Sequence, residues 1–137
     1  MRLATPTLAM LTLIVPGIAL AQDAPTLKTA PPVVINTVPT AGQGDVAPGL
    51  TKIQVTFSKR MTGNSWSWVQ HTPDSFPSIV GEPQFLQDGR TCVIQVKLKP
   101  EQPYAIGINS QRHKNFKDTA GQSALPYLIV FRTAAAK

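Results

Sequence analysis

Residues 51–57, TKIQVTF, alternate without a break: Ile53, Val55 and Phe57 fall on one side of an extended chain, Lys52, Gln54 and Thr56 on the other. Successive side chains of a strand point to opposite faces, so this period of two marks a strand with one face in a core and the other in water. Residues 91–98, TCVIQVKL, repeat the pattern, with Cys92, Ile94, Val96 and Leu98 together. Two such strands need a second layer to cover their apolar faces. Working outward, residues 33–38 are a β-branched run closed by Pro39-Thr40-Ala41-Gly42. Residues 104–109 (YAIGIN) turn Tyr104, Ile106 and Ile108 inward, and residues 127–133 (YLIVFRT) close the series. Residues 65–70 (SWSWVQ) set Trp66 and Trp68 opposite Ser65, Ser67 and Val69, and residues 84–86 supply a further short strand.

Turns punctuate these runs. Gln87-Asp88-Gly89-Arg90 is an Asp-Gly hairpin, residues 99–103 carry two prolines, and Asp118-Thr119-Ala120-Gly121 is a turn former. Residues 58–64 bring Met61 into a short helical turn or loop that plugs one end, and residues 71–83, with Pro73, Pro77, Gly81 and Pro83, read as a long loop or irregular edge. About seven short strands with frequent turns predict an all-β fold, an immunoglobulin-like antiparallel β-sandwich. The 13 prolines and 9 glycines in 137 residues argue against long helices, and 42% hydrophobic with 15% charged residues is a globular composition.

The N-terminus reads as an export signal. Arg2 gives a positive start, residues 8–20 (LAMLTLIVPGIAL) an uncharged apolar run, and Ala19-Leu20-Ala21 a small-residue cleavage site, so residues 1–21 form a signal peptide. The run is shorter than the about 20 residues a membrane-spanning helix needs and is broken by Pro16-Gly17, so no stable span is expected after processing. Residues 22–32 read as an extended leader, 33–133 as the sandwich domain and 134–137 as a C-terminal tail. A secreted, periplasmic or cell-envelope location follows. Cys92 is the sole cysteine, so no internal disulfide forms, and its place on an inward strand face makes it a small buried hydrophobe.

The formal net charge is +6, spread over Lys52, Lys59, Arg60, Arg90, Lys97, Lys99, Arg112, Lys114, Lys117 and Arg132 with no run of five like charges, so no nucleic-acid partner is expected.

Several pieces together resemble the bacterial Ig-like domains of the SbsA-like, surface-layer type. They are Pro32-Val33-Val34 with Val38-Pro39 and Gly42, Val55-Thr56-Phe57-Ser58 followed by Met61, Leu98-Lys99-Pro100 leading to Tyr104, Asp118 with Gly121, and Phe131-Arg132-Thr133. The resemblance implies a fold, with Phe57, Met61, Cys92, Tyr104, Asp118 and Gly121 as structural positions, and not an activity. One piece stands on physics alone: Leu98-x-Pro100-x-x-x-Tyr104 sets a tyrosine at the start of an inward strand after a proline turn, the arrangement of a tyrosine corner.

No catalytic machinery is legible. Ser65, His71 and Asp74 are close in sequence but lack a nucleophile elbow, and His113 stands among Arg112, Lys114 and Lys117 as a solvated loop histidine would. One cysteine and two distant histidines do not make a zinc site, and Asp118 with Gly121 is a turn before it is a calcium ligand, so no metal and no cofactor are expected. The candidate binding residues are Trp66, Trp68, His71 and Phe76, if the tryptophans present a surface instead of anchoring the core. The preferred reading is an exported, non-catalytic module meeting an envelope or extracellular protein or polysaccharide. The alternatives are a small secreted accessory enzyme or inhibitor using the loops around His71 and His113, or a polyanion or carbohydrate binder.

Overall fold

The two alternating runs pair with each other. In the computed structural model, which describes residues 2–5, 9–20 and 22–137, β2 (Gly49–Phe57) lies antiparallel to β5 (Thr91–Leu98), with Ile53 opposite Ile94 and Val55 opposite Cys92. That register puts both apolar sets on one face, which a slip of one residue would undo. Around this pair stand β1 (Val34–Val38), β3 (Trp68–Gln70), β4 (Ser78–Phe85), β6 (Pro103–Ile108) and β7 (Tyr127–Arg132). One sheet has the order β1-β2-β5-β4 and the other β3-β6-β7, and every pairing between strands is antiparallel. Seven strands split in this order reproduce the ABED and CFG sheets of a constant-type immunoglobulin sandwich.

The core lies between the sheets. Ile53, Val55, Phe57, Cys92, Ile94 and Val96 meet Tyr104, Ile106, Ile108, Ile129 and Phe131, all buried. At one end Phe116, fully buried in the connection from β6 to β7, gathers Phe57 at 5.0 Å, Trp68 at 5.6 Å and Phe85 at 6.3 Å between ring centroids. At the other end the tyrosine corner is present. The Tyr104 hydroxyl accepts the Lys99 backbone N–H at 2.7 Å, and its ring stacks on Phe131 with centroids 5.4 Å apart. Thr133 completes the corner by accepting the Gln102 N–H at 2.9 Å and donating to the Lys99 carbonyl at 2.6 Å.

One expectation needs correction and two open readings are decided. Of the long loop or irregular edge expected over residues 71–83, residues 78–83 are the irregular edge and run on into the short strand expected at 84–86: β4 pairs with β5 along its inner edge, with the register broken between Val80 and Gln84 where Gly81 takes φ 74. Its residues are exposed or half-buried on both faces, so no alternation betrays it. Of the helical turn or loop expected to carry Met61, the structure has the loop: Met61 is buried and joined to Asp118 by an isolated bridge. The leader is not extended throughout. Residues 26–30 close a turn, with the Ala30 N–H on the Thr26 carbonyl at 2.8 Å, and Pro32 is buried with its carbonyl accepting the Leu125 N–H at 3.0 Å.

Residues 2–5 and 9–20 are exposed and carry no regular structure, and among the described residues no helix is long and apolar enough to cross a membrane. Leu8, where the apolar run begins, and Ala21, at the expected cleavage site, lie outside the described residues.

Candidate functional site

Strand order leaves one side of the sandwich open. β3 and β4 are the neighbouring edges of the two sheets, and no ladder joins them. On the far side the outer edge of β7 is covered by residues 42–46: the Gly42 N–H reaches the Val130 carbonyl at 2.6 Å, the Arg132 N–H the Gln43 carbonyl at 2.9 Å, and the Val46 N–H the Arg132 carbonyl at 3.1 Å. β4 guards its own edge with the kink at Gly81 and with Pro83, which has no N–H to offer a neighbour.

Between the two edges opens a cleft of about 480 Å³, lined by Trp66 and Trp68 on one wall, Ile79 and Pro83 on the other, and His113 and Asn115 at its end. Both tryptophans are half-buried and packed against the core. Trp68 is the deeper anchor in chemical terms: its ring meets Phe116 edge-on at 75°, and its indole nitrogen is buried without a hydrogen-bond acceptor. That N–H faces the Cys92 thiol. Burial pushes the Cys92 thiol up to about 12, and the Trp68 N–H offsets only part of the effect, so the sulfur stays protonated. Core anchoring and a lining role are therefore compatible for these side chains.

The end of the cleft is held by a zipper between two loops. The Thr62 N–H donates to the Lys117 carbonyl at 2.8 Å, the Ser65 hydroxyl donates to the Asn115 carbonyl, and the Asn115 N–H donates to the Ser67 hydroxyl at 3.0 Å. Ser67 is accordingly buried, and the regular strand starts only at Trp68. The 110–113 turn closes through the Ser110 N–H on the His113 carbonyl at 2.7 Å. His113 thus hangs from a fixed turn.

Two residues that periodicity did not reveal organise this end. Asn109 ends β6 in the left-handed region at φ 54 and is buried. Its side chain accepts the Phe116 N–H at 3.0 Å and donates to the Phe116 and Ala124 carbonyls, both at 3.0 Å, so it seats the aromatic hub as a strand partner would. The signal was present as an asparagine closing an alternating strand, since asparagine tolerates positive φ. Phe116, among charged loop residues, gave none.

Asp118 anchors the neighbouring turn. Its Oδ1 accepts the Ala120 and Gln122 N–H groups at 3.0 and 2.8 Å, and Lys59 Nζ lies 2.9 Å from Oδ2. Burial works to raise the Asp118 carboxyl, but the Lys59 ammonium and the backbone donors together hold it below its ordinary value. Gly121 takes φ 85 in the same turn. Lys59 also donates to the Lys28 and Ala30 carbonyls at 3.2 and 3.0 Å, and Gln122 to the Thr29 carbonyl at 3.1 Å, which docks the leader turn on the domain. With an ammonium ion already at Oδ2, this carboxylate is spoken for. Among the described residues no cluster of three or more His, Cys, Asp or Glu side chains is placed to hold a metal ion.

The four candidate binding residues do not converge. Trp66 and Trp68 share the β3–β4 cleft. Phe76 lines a separate hollow of about 570 Å³ with Lys97, Lys99 and Gln102, whose side-chain amide donates to the Asp74 carbonyl at 2.6 Å. His71 follows β3 onto the outer face of the three-stranded sheet, where its Nε2 lies so close above Gly107 that a β-carbon there would come within 2.9 Å. The Ser65, His71, Asp74 grouping is not assembled, since the Ser65 hydroxyl is committed to a backbone carbonyl.

The family model of the bacterial Ig-like domain matches residues 28–133, a span that begins within the docked leader turn and takes in all seven strands. No curated protein and no solved structure matches the chain.

Proposed function

Because the chain belongs to the bacterial Ig-like domain family, whose members are generally non-enzymatic and typically extracellular or surface-exposed, we propose that it is an exported, non-catalytic module that makes contact with an envelope or extracellular partner through the β3–β4 cleft. The observation that carries this reading is the pair of half-buried tryptophans lining a concave opening between two unpaired sheet edges. Aromatic walls with a few fixed polar groups are what a binding site requires, and fold alone does not provide them. Residues 1–21 supply the export signal in this reading, and residues 22–25 the spacer before the docked turn. Within the family the surface-layer, SbsA-like type is favoured by the tyrosine corner, the Met61–Asp118 bridge and the Gly121 turn, which occupy the positions that resemblance assigns to fold maintenance.

A photoreactive amino acid at Ile79, on the cleft wall, and another at Ala41, in the turn after β1, test the proposal in intact envelopes. Adducts specific to position 79 are expected, identified by mass spectrometry. Identical adducts from both positions, or none from position 79, would refute the cleft as the contact surface.

A further inference from the structure

The fold gathers charge that the sequence scatters. Antiparallel pairing of β2 with β5 and of β6 with β7 brings the connections 58–67, 86–90 and 109–126 to one end of the sandwich, together with the docked leader turn. That end carries Lys28, Arg60, Arg90, Arg112, Lys114 and Lys117. Against them stand Asp88, tied into its own hairpin by the Thr91 hydroxyl at 2.6 Å, and Asp118, paired with Lys59 in the one ion pair among the described residues. The connections at the opposite end, 39–48, 71–77 and 99–102, hold Asp45, Asp74 and Glu101 against Lys99. The excess positive charge is therefore polar in its placement, and it lies at the end where His113 and Asn115 bound the tryptophan cleft.

We infer that the ligand of the cleft is an acidic polysaccharide, its sugar ring against Trp66 and its carboxylates paired with Arg112 and Lys114. This rests on the cleft reading given above and deepens it. Arg112 and Lys114 flank His113, which lines the cleft, and both are exposed and free of any acidic partner among the described residues. Sugar rings present flat C–H faces that pack on an indole and equatorial hydroxyls that take hydrogen bonds from groups such as the Asn115 amide and the His113 imidazole. Cations at the rim then select for negative charge. A lipid headgroup layer is flat and does not enter a concave site. A single-stranded nucleic acid requires a stacking platform along a continuous basic track, and the tryptophans here are half-buried walls.

Titration calorimetry with polygalacturonate, neutral dextran and phosphatidylglycerol vesicles tests the inference. Polygalacturonate binds and dextran does not; affinity falls as salt rises, because rim charges are screened. The pair Arg112→Gln/Lys114→Gln lowers affinity at least about tenfold, while Lys52→Gln/Lys97→Gln on the β2–β5 outer face changes it less than about twofold. Equal losses in the two double variants would overturn the inference, as would binding to the vesicles alone or to none of the three. Dextran bound as tightly as polygalacturonate would overturn the acidic ligand while leaving the cleft in place. Trp66→Ala, with Trp66→Phe as the variant that preserves packing, separates the other failure: affinity unchanged in both, with the double glutamine variant weakened, would refute the cleft itself.

Discussion

Replacing Asn109 should be among the most damaging single changes at this end of the protein, and its cost can be built from the structure. The side-chain amide is the partner of the buried Phe116 N–H and of the Ala124 carbonyl; the Phe116 carbonyl keeps a second partner in the Ala124 N–H at 2.8 Å. Asn109→Gly strands two buried polar groups, at about 1–3 kcal/mol each, for a loss of about 2–6 kcal/mol. Asn109→Ala loses the same contacts and keeps a β-carbon at φ 54 without the polar side chain that lets asparagine tolerate this region, so it should be about 1 kcal/mol worse than the glycine variant. Against a typical domain stability of about 5–15 kcal/mol, either variant is severely weakened. Urea unfolding followed by tryptophan fluorescence reads both numbers, and Trp68 reports on the hub directly because it touches Phe116. A loss below about 1 kcal/mol in both variants would show that Phe116 is seated by packing alone. An alanine variant no worse than the glycine variant would show that the left-handed backbone is not required.

Tyr104→Phe removes one hydroxyl and leaves the Lys99 N–H without its acceptor; since Lys99 is exposed, water recovers part of the loss and a destabilisation of about 1–2 kcal/mol is expected, with an unchanged melting curve counting against the corner. Asp118→Asn should cost about 1–3 kcal/mol at neutral pH and flatten the acid limb of stability. The sign follows from the lowered carboxyl: the wild-type contribution is full above the unfolded value near 3.8 and is lost as pH falls through the lower folded value, so only the wild type should show this loss below about pH 4. Cys92, with its thiol pushed up to about 12, should resist Ellman's reagent at pH 8 until the protein unfolds, and a rapid stoichiometric reaction in the native state would place it at the surface. Because the folded thiol ionises above its unfolded counterpart, its stabilising effect is lost between about pH 9 and 12.

Legibility in the sequence followed burial. β2 and β5 bury one face each, so their period of two survives in the residues, and β5 runs over residues 91–98 as the alternation implied. Tyr104 was legible because a corner has a local signature in proline and spacing. β4 was legible only as a loop or irregular edge, because an edge strand with water on both faces has no reason to alternate, and Gly81 and Pro83, which protect it from strand addition, break the run. Whether the tryptophans face core or surface could not be read from their alternation: Trp66 and Trp68 share a cleft and also pack on the core, and Ser67 between them is buried through its bond to Asn115, a contact between residues far apart in the chain. The leader turn is held by Lys59 and Gln122, partners likewise remote in sequence, so its composition pointed to an extended segment. Of the four candidate binding residues Trp66 and Trp68 line the cleft and His71 and Phe76 belong to other surfaces, while Asn115 carries no signal in the sequence.

The same contacts that escaped the sequence explain why the basic end is fit to recognise something. A site is only as exact as the elements that hold it, and loops are the least exact part of a sandwich. Here the 109–126 connection is fixed at Asn109, at the Asn115–Ser67 and Lys117–Thr62 bonds, and at the Lys59–Asp118 pair, with Phe116 driven into the core between them. Those bonds consume Asp118, the acidic side chain of that connection, and with it the one internal counter-charge that could have neutralised Lys114 or Lys117. Arg112 and Lys114 are left on a rigid support with their charge directed to solvent, beside walls of tryptophan. If the Lys59–Asp118 pair is what keeps them so, Lys59→Met should lower stability and also weaken binding of an acidic ligand at the cleft, because the freed carboxylate adds a negative charge to the same end; a variant that loses stability but binds such a ligand as tightly as before would separate the two effects.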